Sequence, residues 1–586
     1  MTANHSTNTV LLFEHFATLA TAPDGIARLR ELILQLAVQG KLGTQDAGDE
    51  PASVLLEKIK KEKERLVKSG EIKSDGKYEP IKEDEISFPI PKTWQWIRLG
   101  ELTQKIGSGS TPKGGRAVYQ ENGIKFIRSQ NVWNDGLYLE GIARISNEIH
   151  QTMNFTVVQP RDILLNITGA SIGRSCIVPD NFDEGNVNQH VSIIRTVDKK
   201  IRSYLHYCII SPYFQNRIMD VQVGMSREGL SKKVLKDLLI PFPPLAEQER
   251  IIAKVDRLMA LCDELEARQQ QERAGRLRLG TASLTGLQNA EGPEEFGRHW
   301  AQVCDAFDLI LDCPENVAVL REAVFHLAVH GRLMQQMSQD EPAEKLLERI
   351  RKEKERLVKE GEIKREKPLE PVLDAEPPFA IPDSWKWVRI NDAAKIVEYG
   401  TSEKAMPSTT AYGKNSVPVF RMNNIQNGKV IHENLKYLPN SMEELPRLYL
   451  QNNDILINRT NSYELVGKAG IFKGEDDQYT FASYLIRISF FPQLVNPDFV
   501  NITLNASYFR TSQIEPQVTQ QCGQANFSGS KIKNALIPLP PLAEQHRIVA
   551  KVDALMALCD ALESRLKERA GVQARLAGAV VKLVAG

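Results

Sequence analysis

The sequence predicts an α+β protein with an internal pseudo-twofold repeat, in which two globular α/β-mixed domains are joined by long antiparallel helices. Three observations support this fold class. Long blocks of sequence occur twice, one duplicated block carries a helical apolar stripe, and the intervening segments contain short β-rich runs separated by Gly, Asn and Pro loops. At 586 residues the chain is too long for a single core.

The duplicated blocks are nearly identical. Residues 29–42 recur 291 residues later, residues 50–73 recur at 341–364 with 19 of 24 identities, and residues 244–267 recur at 541–564, also with 19 of 24. Between them lie two divergent segments, about 95–240 and 386–537, which we call the first and second domains. They share only a skeleton of paired positions: Trp94 and Trp385, Trp96 and Trp387, Arg128 and Arg421, Asn131 and Asn424, Asp162 and Asp454, Asn166 and Asn458, Tyr213 and Tyr508. Two copies of one fold with different surfaces suggest one task performed on two different targets.

The block from Leu245 predicts a helix of about 25 residues. Prolines at 243–244 and 540–541 mark the start of each copy, since proline does not fit a helix interior. We expect the two apolar stripes to pack on each other in antiparallel fashion, as a pseudo-twofold axis allows. The charged blocks 57–68 and 348–359 are also predicted helices, ending near Gly70 and Gly361. A solvated surface helix is the simpler interpretation of these blocks, and a subunit-docking face is the alternative.

Charge and composition restrict the function. Net charge is zero, but residues 95–240 hold 18 basic against 13 acidic side chains and residues 386–537 hold 16 against 13. This distribution indicates that the two domains meet a polyanion. The cysteines lack zinc-site spacing, the N-terminus lacks a signal-peptide pattern, and no apolar run reaches the ~20 residues of a membrane span. We therefore expect a cytoplasmic protein without a metal site.

No catalytic motif is complete. The glycine-rich run 107–115 lacks the Gly-Lys-Ser/Thr ending of a phosphate loop. Residues 376–379 (EPPF) are similar to an adenine-methyltransferase loop, but the first residue differs and no cofactor loop precedes them, so a linker is the better interpretation. Asp162 and Asp454 head strands without the Glu-x-Lys of a nuclease, and His190 is a lone histidine in a polar run. The sequence predicts a non-catalytic chain.

Polar loop residues instead form a repertoire of base readers, because Arg and Lys pair with guanine edges and Asn and Gln with adenine edges. In the first domain the candidates are Ser110, Thr111, Lys113, Arg116, Arg128, Gln130, Asn131, Arg174, Asn188, Gln189 and Arg227. In the second domain they are Lys404, Arg421, Asn423, Asn424, Arg459, Asn461, Tyr463, Gln520, Gln521, Gln524 and Asn526. The pairs Arg128/Arg421 and Asn131/Asn424 occur in both copies, so shared phosphate contacts or scaffold are alternatives for them.

Two divergent domains, each followed by a helix that opens with Pro-Pro-Leu-Ala-Glu-Gln at 243–248 and 540–545, resemble the specificity subunit of type I restriction-modification systems. Each domain contains an Asp-Ile-Leu strand and a following loop, 168–174 (TGASIGR) and 460–468 (TNSYELVGK). The second loop departs from the Ser/Thr-Gly-x-x-Gly pattern, so loop roles are not transferred between the domains. The resemblance covers essentially the whole chain.

The resemblance implies a division of labour. It predicts a chain that binds double-stranded DNA but no cofactor of its own. Two modification (methyltransferase) subunits, which use S-adenosylmethionine to methylate adenine N6 after base flipping, would dock on the repeated regions. Two restriction (motor-nuclease) subunits would join with ATP and Mg²⁺. The expected division is a helical region at 1–91, target recognition domains at 92–243 and 381–540, a central helical region at 244–380 and a final helix at 541–586.

A helix of ~25 residues is ~37 Å long, close to the ~34 to 36 Å between half-sites on one face of DNA. Helices of that length would act as a ruler, which predicts a bipartite, asymmetric target with an unread gap. Other interpretations are a stand-alone DNA-binding regulator, a coiled-coil scaffold with ligand-binding heads, and a fused methyltransferase-specificity enzyme. The absence of a cofactor loop from the sequence argues against the last of these.

Overall fold

The computed structural model describes residues 16–112, 114–223, 229–373, 375–407, 413–521 and 524–585. They divide into two units. The first contains the chain up to Gln271 together with the residues from Arg569 onward, and the second runs from Glu272 to Glu568. Each unit contains one of the two domains, its preceding helical region and parts of both long helices.

The helices of the two units occur in a similar order. Before the first long helix they are Phe16–Thr21, Gly25–Val38, Ala52–Lys68, Asn147–Thr152, Arg202–Ile210, Pro212–Val223 and Lys232–Asp237. The first long helix is Leu245–Asn289 and the second is Leu542–Ala585. Between them lie Pro293–Asp305, Phe307–Ile310, Pro314–Val329, Ala343–Glu360, Ile390–Ala393, Leu445–Leu448, Pro497–Asn505 and Gly529–Asn534, with a π-helix at Phe509–Ile514. Single 3₁₀ turns include Gly115–Val118, Ser129–Asn131, Gly169–Ser171 and Met422–Asn424.

The first domain is built on a four-stranded antiparallel sheet, in the order Thr103–Ser108, Val191–Thr196, Ile163–Asn166, Ser175–Ile177. A three-stranded sheet holds Ala143–Ile145, Ile124–Ile127 and Gly185–Val187. The hairpin Val132–Trp133 and Gly136–Leu137 stands beside them. Gln95–Arg98 pairs with Leu239–Phe242, which closes the domain by joining its first strand to its last.

The second domain repeats this plan with a larger sheet. Six strands follow the order Ile396–Tyr399, Leu485–Ser489, Ile455–Asn458, Ala469–Ile471, Gly428–Val430, Ile425–Gln426. One three-stranded sheet holds Lys436–Pro439, Ser416–Phe420 and Thr480–Phe481, and another holds Thr460–Asn461, Gln524–Asn526 and Thr519–Gln521. Lys386–Arg389 pairs with Leu536–Leu539, as the corresponding strands do in the first domain. The α+β assignment and the internal repeat are therefore confirmed.

The long helices begin where the prolines predict, but they are longer than expected. They contain 45 and 44 residues rather than about 25. The predicted length leaves out the polar, glycine-containing part of each helix, because the apolar residues there follow only a weak period. The length estimate that compared a 25-residue helix with one DNA turn therefore does not apply to these helices.

The apolar stripes of the long helices do not pack directly on each other as expected, but the end of the first stripe does pack against the second long helix. Ile251 and Val255 are buried in one cluster with Trp94 and Tyr204. Cys262 joins a cluster with residues of Gly25–Val38 and with Ala577, Val580 and Val584 of the second long helix. In the second unit, Ile548 and Val552 belong to the main core. The preceding helical region supplies the apolar surface that covers each stripe.

Arginine ion pairs fix this packing in each unit. Arg30 contacts Asp263 at 2.6 Å and Glu266 at 2.7 Å. In the second unit Arg321 contacts Asp560 at 2.6 Å and Glu563 at 3.3 Å. The same long-helix positions therefore meet the same partner in both copies.

The glutamate of the Pro-Pro-Leu-Ala-Glu-Gln motif holds the domain to the long helix. Glu247 is fully buried and accepts hydrogen bonds from Trp94 Nε1 at 2.8 Å, Gln45 Nε2 at 3.0 Å and Thr44 Oγ1 at 3.1 Å. Gln248 Nε2 donates to the carbonyl of Pro243 at 2.9 Å, which ties the helix start to the strand before it. The motif is a structural joint.

The second copy repeats the joint. Glu544 accepts from Trp385 Nε1 at 3.0 Å and from Gln336 Nε2 at 3.1 Å, and Gln545 Nε2 donates to the carbonyl of Pro540 at 2.9 Å. Burial raises the pKa of Glu544, and the bond from Trp385 opposes that shift. The first tryptophan of each Trp-x-Trp pair is therefore the partner of the motif glutamate.

The charged helices are not fully solvated. Ala52–Lys68 buries Leu55, Ile59 and Leu66 against the first domain, and Ala343–Glu360 buries equivalent positions. Lys63 Nζ donates to the carbonyl of Gly100 at 2.6 Å. One face of each helix is therefore part of the fold, and the charged face remains outside.

Candidate nucleic-acid interface

The central strand of each domain begins at a buried aspartate that serves the fold. Asp162 is 1% exposed, pairs with Arg195 at 2.7 Å and accepts the backbone N–H of Gln159 at 2.7 Å. Asp454 likewise accepts the N–H of Gln451 at 2.9 Å. Burial raises the pKa of Asp454, and nearby Arg487 opposes that shift. Both carboxylates are committed to structure.

The strand ends at a buried asparagine around which the candidate loops gather. Asn166 Nδ2 donates to the carbonyl of Ser129 at 2.8 Å and to Ser171 Oγ at 3.2 Å. Asn458 Nδ2 makes the equivalent bond to the carbonyl of Met422 at 3.5 Å. The loop after each strand is therefore held against the turn that carries Gln130 or Asn423.

The duplicated Arg-x-x-Asn turn is part of the scaffold. Asn131 Oδ1 accepts the N–H of Arg128 at 3.0 Å while its Nδ2 donates to the carbonyl of Tyr138 at 2.9 Å. Asn424 repeats the first bond with Arg421 at 2.9 Å, and it is 1% exposed. The side-chain amides of Asn131 and Asn424 are both bonded to backbone groups of their own domain, which favours the scaffold alternative for these two residues.

A cleft opens between this turn and the following loop in the first domain. It is lined by Ser129, Gln130, Thr168, Gly169, Ala170, Ser171, Arg174 and His190, which we call the first-domain cleft. Gln130 and Arg174 are candidates from the sequence, and Gln130 is exposed. The fold thus brings together residues that are 44 positions apart in the chain.

Arg174 lies flat on an exposed aromatic ring. Its guanidinium carbon is 3.8 Å from the ring centroid of Trp133, which is 41% exposed and donates its Nε1–H to the carbonyl of Gln130 at 2.9 Å. Tyr138 makes an edge contact with the same tryptophan at 6.2 Å. Trp133 is not among the residues predicted from the sequence, although an aromatic residue next to a polar loop is a signal for it.

A row of polar side chains continues from the cleft. Thr111 Oγ1 contacts Gln189 Oε1, Gln189 Nε2 lies 3.1 Å from His190 Nε2, and His190 Nδ1 contacts Thr168 Oγ1. Asn188 is buried and accepts the N–H of His190 at 3.1 Å, so it shapes the turn. Ser110 is half-buried beside Thr111. Thr111 and Gln189 are the exposed members of this row.

The second domain has its own stacked arginine at a different loop position. The guanidinium of Arg459 lies 4.7 Å from the ring centroid of Tyr399, and Nη1 reaches the carbonyl of Ser483 at 3.5 Å. Tyr399 is 40% exposed, and its hydroxyl accepts the N–H of Gly529. Tyr399 was also absent from the sequence candidates.

Other candidates of the second domain surround this position. Asn526 Oδ1 accepts from Thr460 Oγ1 at 2.6 Å, and Asn461 Oδ1 accepts the N–H of Ser462 at 2.9 Å. Tyr463 is 38% exposed and carries Arg510 over its ring at 5.5 Å. Lys404 and Asn423 are exposed.

The two loops after the central strands are closed in the same way despite their different sequences. Gly173 N donates to the carbonyl of Asn166 at 2.8 Å, and Gly467 N donates to the carbonyl of Asn458 at 2.8 Å. Both glycines have positive φ, 87° and 84°, a conformation that favours glycine. The second loop is two residues longer. The same backbone bond therefore closes two loops that carry different side chains.

The candidate arginines differ from the other arginines of the domains in their partners. Arg161, Arg195 and Arg487 pair with carboxylates. In the part of the chain that the structure describes, Arg128, Arg174, Arg421 and Arg459 have no acidic partner. Positive charge is therefore left uncompensated at the loops.

Residues 91–273 and 382–570 match the family model described as the type I restriction modification DNA specificity domain. The chain belongs to this family.

Its relatives match over nearly their whole length. The specificity subunit of the type I restriction enzyme EcoEI of Escherichia coli is 30% identical over 569 residues, which cover 95% of this chain and 93% of the relative. That of EcoAI, also from Escherichia coli, is 31% identical over 580 residues with the same coverages. The crystal structure of the HsdS subunit from Thermoanaerobacter tengcongensis aligns with a TM-score of 0.41 and 17% identity, covering 85% of this chain and 98% of that one.

Several of the candidate DNA-binding residues in the two specificity domains have no described side chain. Lys113 and Arg227 fall outside the described residues, and the side chains of Arg116, Gln520, Gln521 and Gln524 are not described. Among the described residues, no group of three or more His, Cys, Asp or Glu side chains is arranged to hold a metal ion. None of the described helices combines the length and apolar character needed to cross a membrane.

Proposed function

We propose that this chain reads a bipartite, asymmetric DNA target, one half per specificity domain, as the non-catalytic specificity subunit of a type I restriction-modification complex. The single observation that supports it most is one scaffold bearing two unlike sets of readers. The Arg-x-x-Asn turn and the glycine-closed loop recur in both domains. The stacked arginine, by contrast, sits on Trp133 in one domain and on Tyr399 in the other.

The exposed candidates divide by role. Polar groups that are free of local bonds are suited to base edges, and bases are read through such donors and acceptors. Arginines without acidic partners are suited either to guanine or to phosphate, and phosphate contacts set position without reading sequence. We propose this mixture for the two loop surfaces, with Asn131 and Asn424 supporting the loops from beneath.

The enzymatic parts of the complex belong to its partners in this proposal. Two modification subunits carry S-adenosylmethionine and methylate adenine, and two restriction subunits carry ATP and Mg²⁺. The chain itself binds none of these groups. The proposed location is the cytoplasm, where such a complex meets genomic DNA.

Leucines exposed at matching positions of the long helices are the proposed docking points for the modification subunits. Leu261 and Leu558 are 48% and 66% exposed, and they occupy equivalent positions in the duplicated block. Covering a fully exposed leucine contributes about 1.5 to 3 kcal/mol, so covering these partly exposed side chains contributes about 1 to 2 kcal/mol each. Two equivalent apolar positions, one in each repeat, suit two copies of one partner. We therefore assign them to the two modification subunits.

Copurification tests this docking. With Leu261→Glu we expect one modification subunit per chain, and with the double change Leu261→Glu and Leu558→Glu we expect none. Gln270→Glu, an exposed change on the same helix, should retain two. A double variant that still binds two modification subunits would contradict the assignment.

Genome-wide mapping of adenine methylation tests the function. Cells would express the chain with its modification subunit, and control cells would express the modification subunit alone. We expect methylation at a bipartite, asymmetric target only when both proteins are present. A contiguous or palindromic target would refute the proposal. Selective DNA binding without any methyltransferase partner would favour a regulator, and no selective DNA binding would favour a ligand-binding scaffold.

A further inference from the structure

Arg174 is distinguished from the other candidate arginines by how it is held. At 3.8 Å from the ring centroid of Trp133 it is in direct stacking contact, whereas Arg128 lies 5.9 Å from its nearest ring, that of Tyr119. Arg421 donates to the carbonyl of Asn434 at 3.0 Å. Among the described residues, the side chain of Arg174 has no hydrogen-bond acceptor and no carboxylate partner. The contact with the ring holds the guanidinium in place and uses none of its N–H donors.

Trp133 is itself fixed. Its Nε1–H donates to the carbonyl of Gln130 at 2.9 Å, which binds the ring to the turn at the edge of the first-domain cleft. The ring remains 41% exposed, and Arg174 is itself partly exposed. Stacking on tryptophan restricts an arginine to one plane without using any of its N–H groups.

We propose that Arg174 reads a guanine of the first half-site and that Trp133 is the residue that positions it. The inference rests on the proposed function and identifies the reader within it. Guanine presents O6 and N7 as two acceptors in one plane, and a guanidinium presents two parallel N–H donors in its own plane. A guanidinium can also bind a phosphate through the same two donors, so the assignment to a base edge rests on the position of Arg174 at the first-domain cleft, and the experiment below separates the two contacts.

The second domain provides an internal comparison. Lys468 occupies the position of Arg174, since the N–H of Asn458 donates to the carbonyl of Lys468 at 2.9 Å as that of Asn166 does to Arg174 at 2.8 Å. Gln426 occupies the position of Trp133, because its side chain donates to the carbonyl of Asn423 at 2.9 Å. The pair of Arg174 and Trp133 is therefore specific to the first domain, and the stacked Arg459 of the second domain differs from it by donating to the carbonyl of Ser483. The guanine belongs to the first half-site.

The test uses the assembled methyltransferase with either the wild-type chain or Arg174→Lys. For each complex, the methylation frequency is measured on every single-base variant of the target. Lysine keeps the charge but loses the paired donors. We expect the preference for one guanine in the first half-site to fall about ten- to hundredfold, with the second half-site unchanged. Arg161→Lys is the matched control, because Arg161 is ion-paired to Asp180 on the same domain.

Changes at Trp133 test its positioning role. Trp133→Ala should relax the same guanine position, while Trp133→Phe, which keeps a ring, should restore the preference. A purely structural role would instead lower the melting temperature without changing which base is preferred.

The outcomes that overturn the inference are distinct from those that overturn the function. If Arg174→Lys keeps full discrimination at every guanine, Arg174 is not a reader. If Arg174→Ala weakens all targets equally and lowers the salt dependence by about one ion, Arg174 contacts a phosphate. In both cases the wild-type complex would still show a bipartite target. The absence of that target would reject the proposed function itself.

Discussion

The buried glutamates of the two joints show how single residues connect the reading domains to the helices. Glu247 accepts bonds from Trp94, Gln45 and Thr44. Trp94 and Thr44 are buried, whereas Gln45 is exposed. An unpaired buried donor costs about 1 to 3 kcal/mol. The joint therefore depends more on the carboxylate than on any one donor.

Removal of that carboxylate is the sharpest stability test at this scale. Glu247→Ala should lower the free energy of unfolding by about 2 kcal/mol or more, because two buried donors, Trp94 and Thr44, lose their acceptor. Trp94→Phe removes one donor and should cost about 1 kcal/mol. Glu249→Ala, two residues away and exposed, is the control and should be nearly neutral. Urea titrations measure all three, and equal effects for Glu247 and Glu249 would contradict the joint.

A histidine pair makes the second unit acid-sensitive. The rings of His326 and His330 stack with centroids 3.7 Å apart, and Phe379 stacks on His330 at 3.6 Å. Burial lowers the pKa of both histidines to about 4. The ordinary histidine pKa of about 6.5 applies in the unfolded chain. Protons therefore bind the unfolded state more tightly, and stability present above pH 6.5 is lost as the pH falls toward 4.

The first repeat supplies the matched replacements for this pair, since Gln35 and Gln39 occupy the equivalent positions. Exchanging both histidines for glutamine should remove an acid destabilisation of the order of 1 kcal/mol, reduced by solvent screening because both rings are partly exposed. Melting temperatures between pH 7 and 4.5 provide the measurement. A variant whose melting temperature falls with acid as steeply as wild type would exclude the pair as the cause.

At the scale of elements, helices and strands that have a periodic apolar pattern or a proline at their start can be predicted from sequence. The strand Ile124–Ile127 and the helix start at Leu245 agree with the structure, because alternation and prolines are local signals. The full length of the long helix cannot be predicted from sequence, because its polar end has no apolar periodicity. Arg273 and Arg276 in that end pair with Glu315 and Asp312, which are distant in sequence. Trp133 and Tyr399 were missed for the same reason, as each meets its arginine only in the folded domain.

The long helix offers a test of spacing. Cys262 and Leu265 pack in the first unit, while Arg276 pairs with Asp312 in the second. Four residues inserted after Ala267 fall between these contacts and add about 6 Å of helix. We expect a changed gap length with both half-sites retained, read by methylation mapping. Altered half-sites would contradict a spacer role.

For the whole molecule, the repeat implies that the domains are exchangeable readers on equivalent joints. Trp94 with Glu247 and Trp385 with Glu544 make the same bond in each copy. Sequence comparison within the chain is sufficient to predict this duplication. The bases that are read could not be predicted, because they depend on the placement of loop side chains such as Arg174.

Domain duplication tests this central claim most directly. Residues 385–540 would be replaced by residues 94–243, so that both joints carry the first domain, and the methylation target would be mapped in the assembled complex. The account predicts a target composed of two copies of the first half-site. Persistence of the original second half-site in a folded, methylating complex would contradict it, because that half would then be read elsewhere in the molecule.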